Sequence, residues 1–219
     1  MSVDVQKTPE QESRERFVRE TADHKMTVLH DDGLYRHLRF QRQDGASFYW
    51  FDLVTWPGSL VVNGDCGTYT FSRIRDMFEF FGPSGARGGF EDARWGINPQ
   101  YWAQKLRGPG RDTAREYSHD TFRARVLEWF SDVAEELDEE ETAALRSALD
   151  EQVLDDSWGE PGEHEAHSRL RDFEHAGHTI SDSWEWDLRE YEWEFLWCCW
   201  AIVWGIDQYR ALTSKPEAA

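Results

Sequence analysis

Apolar and polar positions along the chain change period near its middle. Between Met26 and Phe71 they fall into five short β-like runs: Met26–His30, Tyr35–Gln41, Ser47–Thr55, Ser59–Val62 and Gly67–Phe71. The separators are turn residues, Asp31-Asp32-Gly33, Asp44-Gly45, Pro57-Gly58 and Asn63-Gly64-Asp65, and Asn-Gly between such runs is a strong hairpin signal. Four to five strands joined so closely predict an antiparallel meander. Ser72 is placed to cap a short helix through Ile74, Met77, Phe78 and Phe81 that ends at Gly82. Asn98 and Pro99 open another that ends at Gly108. The segment between them, Gly82 to Gly96, reads as a long loop.

Beyond Gly108 the period becomes helical. Ser118 caps a stripe of Phe122, Val126, Phe130, Val133 and Leu137, and a second helix carries Leu145, Leu149 and Val153. The last element has two stripes, one from Trp184 through Leu188, Tyr191, Phe195, Cys199, Ile202 and Ile206 to Tyr209, the other Trp193, Trp197, Trp200 and Trp204. A helix apolar on two sides is expected at the centre of a fold, between the sheet and the acidic helices; an exposed Trp stripe would instead be a binding or oligomerising face. The reading is therefore α+β: an N-terminal antiparallel β-meander of four to five strands packed against C-terminal helices, including a central Trp-rich helix. Residues 1–23 read as a polar arm or short helix. Residues 24–219 read as one domain, with a sheet-rich half (24–110) and an acidic helical half (111–219).

Composition supports a folded chain, since 39% of the 219 residues are hydrophobic and 15% aromatic, with twelve Trp and thirteen Phe. The longest apolar run, Phe195–Ile206, is too short for the roughly 18–20 residues of a membrane span, and the acidic N-terminus lacks an apolar signal region. Three cysteines without a framework spacing fit reduced thiols in a cytosol.

Charge sharpens the picture. Of the net −19, residues 1–110 contribute −1 (14 Lys+Arg against 15 Asp+Glu) and residues 111–219 contribute −18 (10 against 28). Such a field repels nucleic acid and anionic membranes and attracts basic protein surfaces, including those that bind nucleic acid. The densest run is Glu135, Glu136, Asp138, Glu139, Glu140 and Glu141, followed by Asp155 and Asp156; it reads either as a solvated helix junction or as a docking patch.

A second candidate is the histidine group His164, His167, His175 and His178, beside Glu163, Glu165 and Glu174. Imidazoles one helical turn apart can hold Zn²⁺, although neither pair has the H-E-x-x-H spacing. Asp52, Asp65, His30 and His37 are further acid/base candidates that the spacing does not bring together. No phosphate-binding loop or nucleophile motif is present, so catalysis has no support in the sequence and no cofactor other than zinc is indicated.

Three segments, Phe48–Phe81 (FYWFDLVTWPGSLVVNGDCGTYTFSRIRDMFEFF), Ile97–Leu106 (INPQYWAQKL) and Phe195–Tyr209 (FLWCCWAIVWGIDQY), resemble a family of phage and prophage proteins. The family has no established activity, so the resemblance transfers no site. It implies a phage or mobile-element gene acting in the bacterial cytoplasm, a setting in which small acidic proteins inhibit host nucleases or CRISPR-type complexes. A binding protein whose carboxylates stand in for phosphates follows as the first expectation, and a zinc-binding protein or metal-dependent hydrolase as the alternative.

Overall fold

The computed structural model describes residues 7–82, 96–108 and 114–214. Most of the loop expected at Gly82–Gly96 lies outside them. Five strands, β1 (His24–Asp32), β2 (Tyr35–Arg42), β3 (Phe51–Trp56), β4 (Ser59–Gly64) and β5 (Gly67–Ser72), form one antiparallel sheet in sequence order. The α+β meander read from the sequence is therefore present, with several local differences.

The third strand starts at Phe51 rather than Ser47, because Tyr49 takes φ 60°, a left-handed conformation that breaks the extended run. The fourth runs through Asn63-Gly64, so the hairpin turns at Asp65-Cys66 and Gly64 faces Gly67 across the ladder. Gly64 serves close approach instead: a Cβ there would lie 2.2 Å from the Trp50 carbonyl oxygen. Ser72 stays in β5, its hydroxyl donating to the Gly58 carbonyl at 2.7 Å, and Asp76 caps α2 (Met77–Phe81) by accepting from the Phe78 amide. Asn98 caps α3 (Pro99–Ala103) as expected, but that helix stops well before Gly108, since Lys105–Arg107 bonds along β5.

Packing divides the chain into two compact units, one built from the described residues up to Ala114 together with those from Tyr191 onward, the other from Arg115–Glu190. In the first unit, α7 (Trp193–Thr213) lies on the inner sheet face, where Leu38, Phe40, Phe51, Leu53, Leu60, Val62 and Phe71 are buried. Its long stretch from Phe195 to Val203 is buried all round. The helix begins at Trp193, not Trp184: Asp182 at φ 56°, a 3-10 turn at Ser183–Glu185 and strand β9 (Arg189–Tyr191) interrupt the stripe.

The Trp stripe is covered by α1 (Pro9–Glu20), which a Thr8–Gln11 capping box starts. Phe17 meets Trp197 edge-on at 5.1 Å and Trp204 at 5.8 Å. The indole N–H groups of Trp197 and Trp200 donate to Glu20 Oε2 (2.9 Å) and to the Glu10 carbonyl (3.2 Å). Buried Trp keeps its N–H satisfied only where such acceptors exist, so the polar N-terminal segment is what makes this stripe a core. Trp193, at its rim, is roofed by the Arg16 guanidinium 3.5 Å from the ring centroid.

The second unit contains α4 (His119–Ala134), α5 (Glu139–Gln152) and α6 (Glu163–Asp172) around a core of Phe122, Val126, Leu145, Leu149, Leu170 and Phe173. Strand β6 (Arg115–Tyr117) pairs with β9, and β7 (Glu174–His175) with β8 (His178–Thr179). No helix among the described residues is long and apolar enough to cross a membrane.

Candidate functional site

Within Arg115–Glu190 there are seven arginines and 23 carboxylates, a net of −16. Every one of the seven arginines bonds a carboxylate of the same unit. Arg115 pairs with Asp187 at 2.7 Å, Arg123 with Asp156 at 2.9 Å, Arg125 with Glu128 at 2.5 Å and Arg146 with Asp150 at 2.9 Å. Arg169 pairs with Glu165 at 2.6 Å, Arg171 with Asp172 at 2.9 Å and Arg189 with Glu163 at 2.7 Å. Arg169 also donates to the Val153 and Asp155 carbonyls, closing the end of α5 against the loop that follows. With its cations engaged internally, the unit presents an outward field of one sign.

The eight acidic residues singled out in the sequence divide by role. Asp138 and Glu141 form the capping box of α5: Asp138 Oδ1 accepts from the Glu140 and Glu141 amides at 2.9 Å, and Glu141 accepts from the Asp138 amide. Asp155 accepts from the Ser157 amide and hydroxyl, and these bonds hold its carboxyl below the ordinary range. Asp156 faces Arg123 and, at 3.2 Å, His119 Nε2. Glu135, Glu136, Glu139 and Glu140 remain, all exposed at the α4–α5 junction and free of ion pairs among the described residues. A run of six acids is therefore partly helix-start chemistry, because carboxylates in a first turn suit both the free amides and the helix dipole.

The turn after α5 carries an unusual feature. Trp158 is 97% exposed between Asp155-Asp156 and Glu160, on a turn closed by the Gly159 amide donating to the Asp156 carbonyl at 2.9 Å. Trp184, 72% exposed, also sits beside acids, Asp182 and Glu185. The sequence reading passed over Trp158, since a lone Trp has no periodicity to mark it as core or surface.

The four histidines occupy two places. His164 and His167 lie one turn apart on α6, while His175 and His178 face each other across the β7–β8 hairpin, whose two turn residues, Ala176 (φ 49°) and Gly177 (φ 85°), both take positive φ. No group of three or more His, Cys, Asp or Glu side chains that could hold a metal ion occurs among the described residues.

In the first unit, Asp52 is gathered with His37 and with Arg39. Arg39 donates to both Asp52 oxygens at 2.8 Å and His37 Nε2 lies 3.1 Å from Oδ2. Burial acts to raise this carboxyl, but the bonds from Arg39 and His37 outweigh it and the net shift is downward. Asp65 is elsewhere, accepting from the Tyr49 amide. A carboxylate so held is a weak base and a structural tie. Asp76 is depressed in the same way by Arg36, against the same burial cost.

Depressed carboxyl values stabilise the fold above the unfolded value and lose that contribution as pH falls through the folded one. Thermal stability is thus expected to decline below about pH 4, and Asp52→Asn to flatten the decline in a melting series. An unchanged acid limb in Asp52→Asn would show that Asp52 contributes nothing to it.

All three cysteines are buried, and Cys198 Sγ donates to the Cys66 carbonyl. Burial pushes the Cys66 thiol up to about 12 and the other two well above their ordinary value, so none is a nucleophile at neutral pH. Comparison with protein-family models, curated proteins and solved structures finds no match.

Proposed function

We propose that this chain is a non-enzymatic binding protein of phage or prophage origin. In this reading its Arg115–Glu190 unit docks on a cationic, nucleic-acid-binding surface of a host complex, such as a defence nuclease or a CRISPR-type assembly. The carrying observation is the charge arrangement: net −16 with all seven arginines committed to internal ion pairs. Carboxylates at the α4–α5 junction would take the place of phosphates on the partner, giving fast, salt-sensitive association. Trp158 adds an indole that a partner pocket could bury, and exposed Trp is the residue most often found as an interface anchor. The zinc alternative has His175 and His178 side by side but no converging third donor among the described residues.

The test follows from the division of roles among the acids. Changing Glu135, Glu136, Glu139 and Glu140 to Gln removes four charges while sparing the Asp138–Glu141 capping box. A salt-graded pull-down from bacterial lysate identifies a nucleic-acid-binding complex, on which duplex DNA and the protein then compete directly. Expected are mutual exclusion and at least about a tenfold loss of affinity in the variant at low salt. Simultaneous binding of DNA and protein, or full affinity in the variant, overturns the reading.

A further inference from the structure

The sheet has a second face whose chemistry is opposite to that of the acidic unit. Side chains alternate across a strand, so with Leu38, Phe40, Phe51 and Leu53 in the core, His37, Arg39, Asp52 and Val54 project outward. The Ser72 amide donates to the Lys105 carbonyl (3.0 Å) and the Arg107 amide to the Thr70 carbonyl (2.8 Å), with Leu106 bridging Phe71. Residues 105–107 thereby bridge to the β5 edge of the sheet. Since Leu106 is buried with Phe71, Lys105 and Arg107 lie on the outward face.

Lys105 and Arg107 on that face are joined at its border by Arg73 and Arg75, in the bend after β5, where the Arg75 carbonyl accepts from the Gly58 amide at 2.9 Å. Arg73, Arg75 and Arg107 are exposed and make no ion pair among the described residues, and Lys105 is engaged only with the Tyr101 ring, 4.3 Å from its centroid. The one carboxylate in the middle of the face, Asp52, is neutralised by Arg39; a second, Asp32, is paired with Tyr35 across the β1–β2 ladder. Two aromatic rings are also offered to solvent. The register Arg36↔Thr55 brings Tyr35 opposite Trp56, 54% and 40% exposed, and the Arg39 guanidinium lies over the Trp50 ring at 5.0 Å. Trp56 faces Ser59 and Ser59 faces Ser72, so two hydroxyl-bearing residues lie in register between the ring pair and the β5 edge.

We propose that this outward face binds a short stretch of single-stranded nucleic acid, with the Tyr35–Trp56 pair stacking bases and Arg73, Arg75, Lys105 and Arg107 contacting phosphates. Cations alone would suit any polyanion; the paired exposed rings favour one whose bases stack on them. The expectation of repulsion drawn from net charge applies to the chain as a whole. At about 0.1 M salt the Debye length is about 10 Å, so a local cationic surplus governs contacts made within it.

The experiment uses the full chain and a fluorescently labelled oligothymidylate, read by anisotropy at about 0.1 M salt. Expected is micromolar binding, weakened about tenfold by Trp56→Ala and by Tyr35→Ala. Arg107→Gln and Arg73→Gln should each make the dependence of log K on log salt shallower by about 0.7. Near-UV circular dichroism confirms that each variant is folded, and the exposed Arg→Gln changes carry the test should an aromatic variant fail to fold. The four-Gln variant of the acidic unit should keep full oligonucleotide affinity, so this proposal and the docking reading fail separately. Absence of binding, indifference to both ring and arginine changes, or equal binding of an oligoglutamate of matched charge overturns the assignment.

Discussion

Trp197→Ala is expected to lower the unfolding free energy by about 3–5 kcal/mol, the range for deleting a fully buried large aromatic. Trp197 is completely buried and touches two elements besides its own helix, with Phe17 of α1 at 5.1 Å and Phe51 of β3 at 5.6 Å edge-on. Its loss opens a cavity at the point where α1, α7 and the sheet meet. It also leaves Glu20 Oε2 without the indole donor, although Arg16 still holds Oε1 at 2.9 Å. Trp197→Phe separates the two contributions, since it keeps most of the volume and removes only the N–H. Urea unfolding of both variants measures the difference, and a Trp197→Ala loss under about 1 kcal/mol would mean that α1 does not seal this stripe.

Gly64→Ala is expected to cost about 3 kcal/mol, at the upper end of overpacking effects. The added methyl would sit 2.2 Å from the Trp50 carbonyl oxygen and 2.8 Å from the Phe51 Cα, both backbone atoms that cannot rotate away. Relief requires the start of β3 to move, and Tyr49, already at φ 60°, is the residue through which that movement passes. The Tyr49 carbonyl is in turn bonded to buried His24 at 3.0 Å, so the disturbance reaches β1. Hydrogen exchange should show loss of protection centred on β3 and β4. Wild-type stability and exchange in Gly64→Ala would show that the close approach is not required. Gly205 is a milder analogue on α7, because its Cβ would meet the ends of the Leu53 and Phe40 side chains rather than backbone.

Both results bear on the proposed surfaces only through the scaffold. Neither residue lies on the outward sheet face or in the acidic unit, so binding measured under conditions where the variants remain folded should be unchanged. Loss of stability and loss of binding are therefore separable, which is what the four-Gln and Arg107→Gln variants need as controls.

The sequence by itself determined the elements with strong local signatures. Five strands follow from alternation and turn residues, and α4 and α5 follow from the Ser118 cap and their apolar stripes, because caps and periodicity act within a few residues. The surplus of negative charge in the second half is likewise a property of composition. Tertiary structure decided what each signal is used for. The Asn63-Gly64 pair, a turn by local rules, became strand because a backbone oxygen approaches Gly64 from Trp50, which lies outside any local window. The Trp stripe could have been a binding face; α1 made it a core by supplying two hydrogen-bond acceptors and Phe17 from near the other end of the chain. Of the acidic run, half proved to be cap, turn and ion-pair chemistry once the folded partners were known. The outward sheet face was invisible beforehand, since its rings come from β2 and β3 and its cations from residues 105–107 and the bend after β5, and only the folded sheet brings these segments together.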